Sequence, residues 1–124
     1  LTLSQPVYIN GDGETSRDFC YVDNAVKANI LAATVKRPDA VNQLYNVAVG
    51  ERISLNQLFG YIQNSLEKHL PNLQKNRPSY LAFREGDIQH SLADIQKISS
   101  LLGYESPIKI YDGLAKLTEY YMAK

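Results

Sequence analysis

A chain of 124 residues with 44% hydrophobic and 21% charged side chains fits one domain and can bury a modest core. Its 13 basic residues balance 13 acidic ones, so no general field draws nucleic acid or an anionic membrane, and an acidic partner must be held by a few placed arginines. The single cysteine, Cys20, excludes an internal disulfide and fits a reducing compartment, and no apolar run is long enough to span a bilayer. No basic-then-apolar leader is present, and the chain opens at Leu1 with neither an initiator methionine nor a polar tail, so it is expected to be a piece cut from something longer.

Pro6 to Asn10 is a short β-prone run that ends in Gly11-Asp12-Gly13, a strand followed by a tight bend. Phe19 to Val22 reads as a second strand, and Asp23 as the N-cap of a helix over about 24–36 with Val26, Ile30 and Ala33 on its apolar face. Gln43 to Val49 has the strongest strand pattern in the chain, so strand, crossover helix and strand predict a parallel βαβ unit. Ser54-Leu55-Asn56-Gln57 is a capping box that opens a helix faced by Leu55, Leu58, Phe59, Ile62 and Leu66.

The polar, proline-bearing stretch 71–79 predicts a mobile loop, and Ser79 to Arg84 returns as a strand that delivers Arg84 at its end. Asp94 is placed to cap a short helix that turns Ile95, Ile98 and Leu101 inward and stops at Gly103. A last helix over about 111–122 carries Ile110, Leu114, Leu117 and Tyr121 on one stripe. The fold class is therefore α/β, a few-stranded mixed sheet with about four helices, in one region spanning 1–124.

Chemistry concentrates at two places. Gly11-x-Gly13 lacks the third glycine of a dinucleotide fingerprint and leads into a strand, so it reads as turn chemistry and not as a cofactor loop. Arg17 and Arg84 each stand beside acidic residues, in Arg17-Asp18 and Arg84-Glu85-Gly86-Asp87. Two converging guanidinium forks suit a diphosphate, while the plainer alternative is that each pairs with its neighbouring acid. Asp87 can accept from a ribose diol or salt-bridge an arginine.

No catalytic set is evident. Tyr120 and Lys124 have the Tyr-x-x-x-Lys spacing that lowers a phenol pKa, but Lys124 ends the chain and the match reads as chance. His69, His90 and Cys20 have no metal-ligand spacing.

The ordered series Gly11-Asp12-Gly13-x-x-x-Arg17-Asp18-Phe19-x-x-Val22-Asp23, Tyr45-Asn46-Val47, Arg84-Glu85-Gly86-Asp87, Ala93-Asp94 and Leu102-Gly103-Tyr104 resembles the carboxy-terminal, substrate-binding part of extended short-chain dehydrogenase/reductases that act on nucleotide sugars. The nearest likeness is to UDP-N-acetylglucosamine 4-epimerases and their UDP-glucose relatives. The resemblance implies that Arg17 and Arg84 clamp the diphosphate, that Asp87 holds the uridine ribose, and that Tyr8 stacks on uracil. It also implies that Ser91, small and four residues after Asp87, leaves room for an N-acetyl group.

Such enzymes invert C4 by NAD-mediated oxidation and re-reduction. Their glycine-rich NAD unit and their catalytic Ser/Thr and Tyr-x-x-x-Lys residues belong to a part this sequence does not contain. The implication is a UDP-sugar-binding portion that is inactive alone, binds no NAD by itself and exposes apolar surface where the missing N-terminal NAD-binding part docks. The intact enzyme is expected to be a cytoplasmic homodimer with no nucleic-acid or membrane partner. A dehydratase or decarboxylase would reuse the same clamp, and a non-enzymatic binding module is the rival from another class.

Overall fold

The computed structural model describes residues 5–73, 76–105 and 107–123. In chain order the elements are β1 (Tyr8–Asn10), β2 (Ser16–Arg17), α1 (Val22–Thr34), β3 (Ile53–Ser54), α2 (Leu55–Glu67), β4 (Ser79–Leu81), α3 (Gln96–Leu102) and α4 (Ile110–Met122). Two short ladders join them. β1 pairs with β4 in parallel, Tyr8 opposite Ser79 and Asn10 opposite Leu81. β2 pairs with β3 in antiparallel, and one further parallel bridge links Ser16 to His90.

The predicted βαβ unit does not form. Residues 19–22 make no ladder; α1 already starts at Val22, with Tyr21 at its N-cap and Asp23 inside the first turn. Residues 43–49 also carry no ladder among the described residues, because no strand lies beside them to exchange backbone hydrogen bonds. Side chains hold that segment instead. Asp18 accepts from the backbone N–H groups of Val49 (3.0 Å) and Gly50 (2.9 Å), and the Tyr104 hydroxyl donates to the carbonyl of Ala48 at 2.9 Å.

A core forms between α1 and α3 from Ala28, Ala40, Ile98, Leu102 and Tyr104, with Leu31, Val35, Tyr45, Ile95 and Leu101 packed against it. Here the expected inward face of α1 is overturned: Val26 and Ile30 are 51% and 58% exposed. The buried stripe runs instead through Asn24, Ala28, Leu31 and Val35, which also has helical spacing. Asn24 selects this face, since its amide brackets Ile108 by donating to the carbonyl and accepting from the N–H, each at 2.8 Å. On α3, Ile98 turns inward as expected and Gly103 ends the helix in the left-handed region at φ 66°. Asp94 does accept from Gln96 N–H at 2.8 Å, but from one residue before the N-cap position, which Ile95 occupies.

On the other side, α2 packs on α4. The capping box is realised: Ser54 Oγ accepts from Gln57 N–H while the Gln57 side chain accepts from Ser54 N–H. A buried polar rung joins the two helices, Ser65 donating to Thr118 Oγ1 at 2.9 Å and Thr118 to the Leu114 carbonyl at 2.8 Å. Of the predicted α4 stripe, Leu114 is buried, whereas Leu117 and Tyr121 are 40% and 65% exposed, because the face turned to α2 runs through Leu114 and Thr118. In the loop 71–79, Gln74 and Lys75 lie outside the described residues, as does Lys124 of the Tyr-x-x-x-Lys match.

Candidate functional site

The site grows from the glycine turn. Gly11 and Gly13 have φ of 82° and 81°, a region that disfavours side chains, and each is crowded as well. A Cβ on Gly11 would enter the Phe83 ring, and one on Gly13 would collide with the Asn56 amide. That amide locks the turn, donating to the Asp12 carbonyl at 3.2 Å and to Glu14 Oε1 at 2.7 Å, while its oxygen accepts from the Tyr80 hydroxyl. The turn thereby fixes the end of β1 against the start of β2, with α2 on one flank and β4 on the other.

Between these elements lies a cavity of about 340 Å³. Arg17, Arg84 and Asp87 all line it, as does Tyr8, with an apolar wall that includes Phe19 and the α2 residues Leu55, Leu58, Phe59 and Ile62. Two guanidiniums against one carboxylate leave an excess of positive charge beside an apolar wall. That combination suits a ligand with a flat or apolar end and an anionic middle.

The neighbouring-acid alternative for the two arginines does not hold. Asp18 is committed to the backbone of 49–50, so Arg17 reaches across to Asp87, Nη2 to Oδ1 at 2.8 Å. Arg17 Nη1 donates to the carbonyls of Ser16 (2.9 Å) and Gln89 (3.2 Å), which aims the guanidinium along the cavity edge. Arg84 has no carboxylate partner among the described residues. With its amide oxygen turned to the guanidinium, Asn10 accepts from Arg84 Nε at 2.9 Å and from Nη2 at 3.1 Å.

Tyr8 is 59% exposed at the cavity mouth, its ring available to a planar group. Ser91 lies outside the lining and donates its N–H to the Ser16 carbonyl at 3.1 Å. Cys20 stands apart from the cavity, and partial desolvation, with Asp18 beside it, raises its thiol pKa above the ordinary value.

Sequence reasoning missed Asn10, Ser16 and His90, and read the α2 wall only as a core stripe. Asn10 offered a local signal, a polar residue ending a strand at a glycine turn. Ser16 and His90 are 74 residues apart and offered none.

Residues 2–117 match the family profile described as GDP-mannose 4,6 dehydratase. The chain belongs to that family. A UDP-glucuronate 4-epimerase of Thermodesulfobacterium geofontis is 31% identical over 117 residues, covering 94% of this chain and 33% of that protein. The solved UDP-N-acetylglucosamine 4-epimerase of Methanobrevibacter ruminantium, in complex with UDP-N-acetylmuramic acid, superposes with a TM-score of 0.77 at 35% identity, over 98% of this chain and 36% of that one. The UDP-glucuronic acid 4-epimerase of Bacillus cereus, in complex with UDP-glucuronic acid and NAD, superposes with a TM-score of 0.78 at 27% identity, over 98% and 36%.

The chain spans about a third of the length of the curated relatives it matches. The likeness to part of an extended short-chain dehydrogenase/reductase of the nucleotide-sugar epimerases is borne out, and with it the α/β class.

Proposed function

We propose that this chain is the UDP-sugar-binding portion of a UDP-sugar 4-epimerase, with Arg17 and Arg84 on the diphosphate, Asp87 on the ribose and Tyr8 on the uracil. The observation that carries this reading is the meeting of Arg17, Arg84 and Asp87, drawn from segments some 70 residues apart, at one cavity edge. Phosphate oxygens would take the forks of both arginines. Freed from Arg17, the Asp87 carboxylate would accept from a vicinal diol. The sequence of relatives and solved neighbours that act on or bind UDP-sugars supports the same ligand class.

The glycine turn does not fit a dinucleotide pyrophosphate. It is already filled by Phe83 and Asn56, and it runs into β2 and not into a helix N-terminus, where a pyrophosphate would be held. In the reading proposed here NAD and the reacting residues come from the remaining two-thirds of the length found in relatives, and the intact protein is a homodimer. That portion would cover the stripe Val22, Val26 and Ile30 of α1, and Leu44, which is 91% exposed. Among the described residues no helix is long and apolar enough to cross a membrane. Ser91, being small, would admit an N-acetylhexosamine as well as a plain hexose.

Calorimetric titration of UDP tests the clamp. Arg84→Ala should weaken binding by about 1.5–3 kcal/mol, the scale of a charge-assisted contact; equal affinity would remove Arg84 from the site. For the sugar end, Ser91→Tyr in the full-length protein should abolish turnover of UDP-N-acetylglucosamine while sparing UDP-glucose. Accumulation of a 4-keto-6-deoxy product would favour a dehydratase, a reaction that a similar dTDP-glucose 4,6-dehydratase of Haemophilus influenzae carries in its name.

A further inference from the structure

Residues 81–92 are exposed throughout, yet this segment carries Arg84 and Asp87. Its position must therefore come from hydrogen bonds and not from burial. Among the described residues, every long-range bond of 87–91 ends on Ser16 or Arg17. Arg17 supplies two, to Asp87 and to the Gln89 carbonyl. Ser16 supplies three: its N–H donates to the Gln89 carbonyl at 2.8 Å, its carbonyl accepts from Ser91 N–H at 3.1 Å, and its hydroxyl meets His90 Nδ1 at 2.9 Å.

These two sets respond differently to an anionic ligand. A phosphate that takes the Arg17 fork competes with both Arg17 bonds, because the same guanidinium makes them. Two of the Ser16 bonds share their carbonyl acceptor with Arg17 Nη1, that of Ser16 itself and that of Gln89, so the hydroxyl–imidazole contact is the one that has no atom in common with the clamp. Ser16 is buried, and its hydroxyl can donate or accept, so the contact with the imidazole holds in either tautomer.

We propose that the Ser16–His90 contact is a latch that keeps Asp87 and Ser91 in register with β2 when Arg17 turns to phosphate, which makes His90 a positioning residue of the site. This rests on the UDP-sugar reading above. His90 acts through the segment and not by touching the ligand.

In the full-length protein, His90→Ala and Ser16→Ala should each weaken UDP roughly fivefold, the fold-change of one neutral hydrogen bond. The double variant should bind no more weakly than either single one, since both remove the same contact. His90→Asn, whose amide can place a polar atom near the Nδ1 position, should restore affinity. Amide hydrogen exchange at Ser91 should quicken in both alanine variants and recover in His90→Asn, with the melting temperature nearly unmoved.

Unchanged UDP affinity in His90→Ala, or additive losses in the double variant, would overturn the latch. So would rescue by His90→Gln but not by His90→Asn, which would put Nε2 on the ligand itself. Should the unaltered protein fail to bind UDP, the UDP-sugar reading falls, and exchange at Ser91 alone then decides. An unchanged rate in His90→Ala refutes the latch.

Discussion

The two halves of the molecule solve opposite problems. Between α1 and α3 the chain seals itself: Ile98 and Tyr104 are each 1% exposed, and the buried Asn24 amide is satisfied on both its atoms by Ile108. Between β1, α2 and β4 it stays open, with two guanidiniums, one carboxylate and a half-buried apolar wall facing a cavity. The sealed half spends its polar groups on backbone partners, so removing one should cost stability. The open half keeps its charged groups on exchangeable partners, so removing one should cost binding.

The sharpest way to break that contrast is Ile98→Ala. It should lower stability by about 2–5 kcal/mol, as for other large-to-small core changes, and leave UDP affinity of the folded fraction intact. Denaturant melts and calorimetry on the same sample separate the two effects. Arg17→Ala should do the reverse, weakening UDP by about 1.5–3 kcal/mol with little change in the melt. A large stability loss there would mean the clamp is part of the scaffold.

Asn24→Ala should cost about 1–3 kcal/mol, because Ile108 loses a donor and an acceptor at once. Smallest is Tyr104→Phe, about 1 kcal/mol for the lost bond to Ala48. It also carries a pH signature. Burial, followed by the nearby Cys20 and Asp18, raises the Tyr104 phenol in the folded state. The neutral form is thus favoured in the fold, and its contribution is complete below the ordinary tyrosine value of about 10 and lost as pH rises beyond it. The unaltered protein should therefore lose stability faster than Tyr104→Phe above about pH 10 in parallel melts.

Much of this contrast was legible in the sequence where the signal is local. The capping box at Ser54 and Gln57, the stop at Gly103 and the glycine turn at 11–13 depend on residues within a turn of one another, and each appears as read. The errors fall where the deciding partner is distant. Gln43 to Val49 has the composition of a strand but no neighbour to pair with, and composition carries no information about neighbours.

Helix α1 has two apolar stripes, one through Val26 and Ile30 and one through Ala28 and Leu31. Periodicity finds a stripe but cannot rank two of them. Arg17 and Asp18 show the same limit at the site. Adjacency suggested that they pair, but the carboxylate is taken by the backbone of Val49 and Gly50.

By itself, then, the amino-acid sequence determined the helices, the capping box at Ser54 and the stop at Gly103, the turns, and the presence of two arginines and a carboxylate suited to a diphosphate. Only the tertiary structure decided that these meet at one cavity, which face of α1 is buried, and that His90 ties the Asp87 segment to β2. The reason is physical. Propensity, capping and turn chemistry act over a few residues, whereas the bonds that aim Arg17 and hold His90 span 70 or more, and only packing brings such groups within reach.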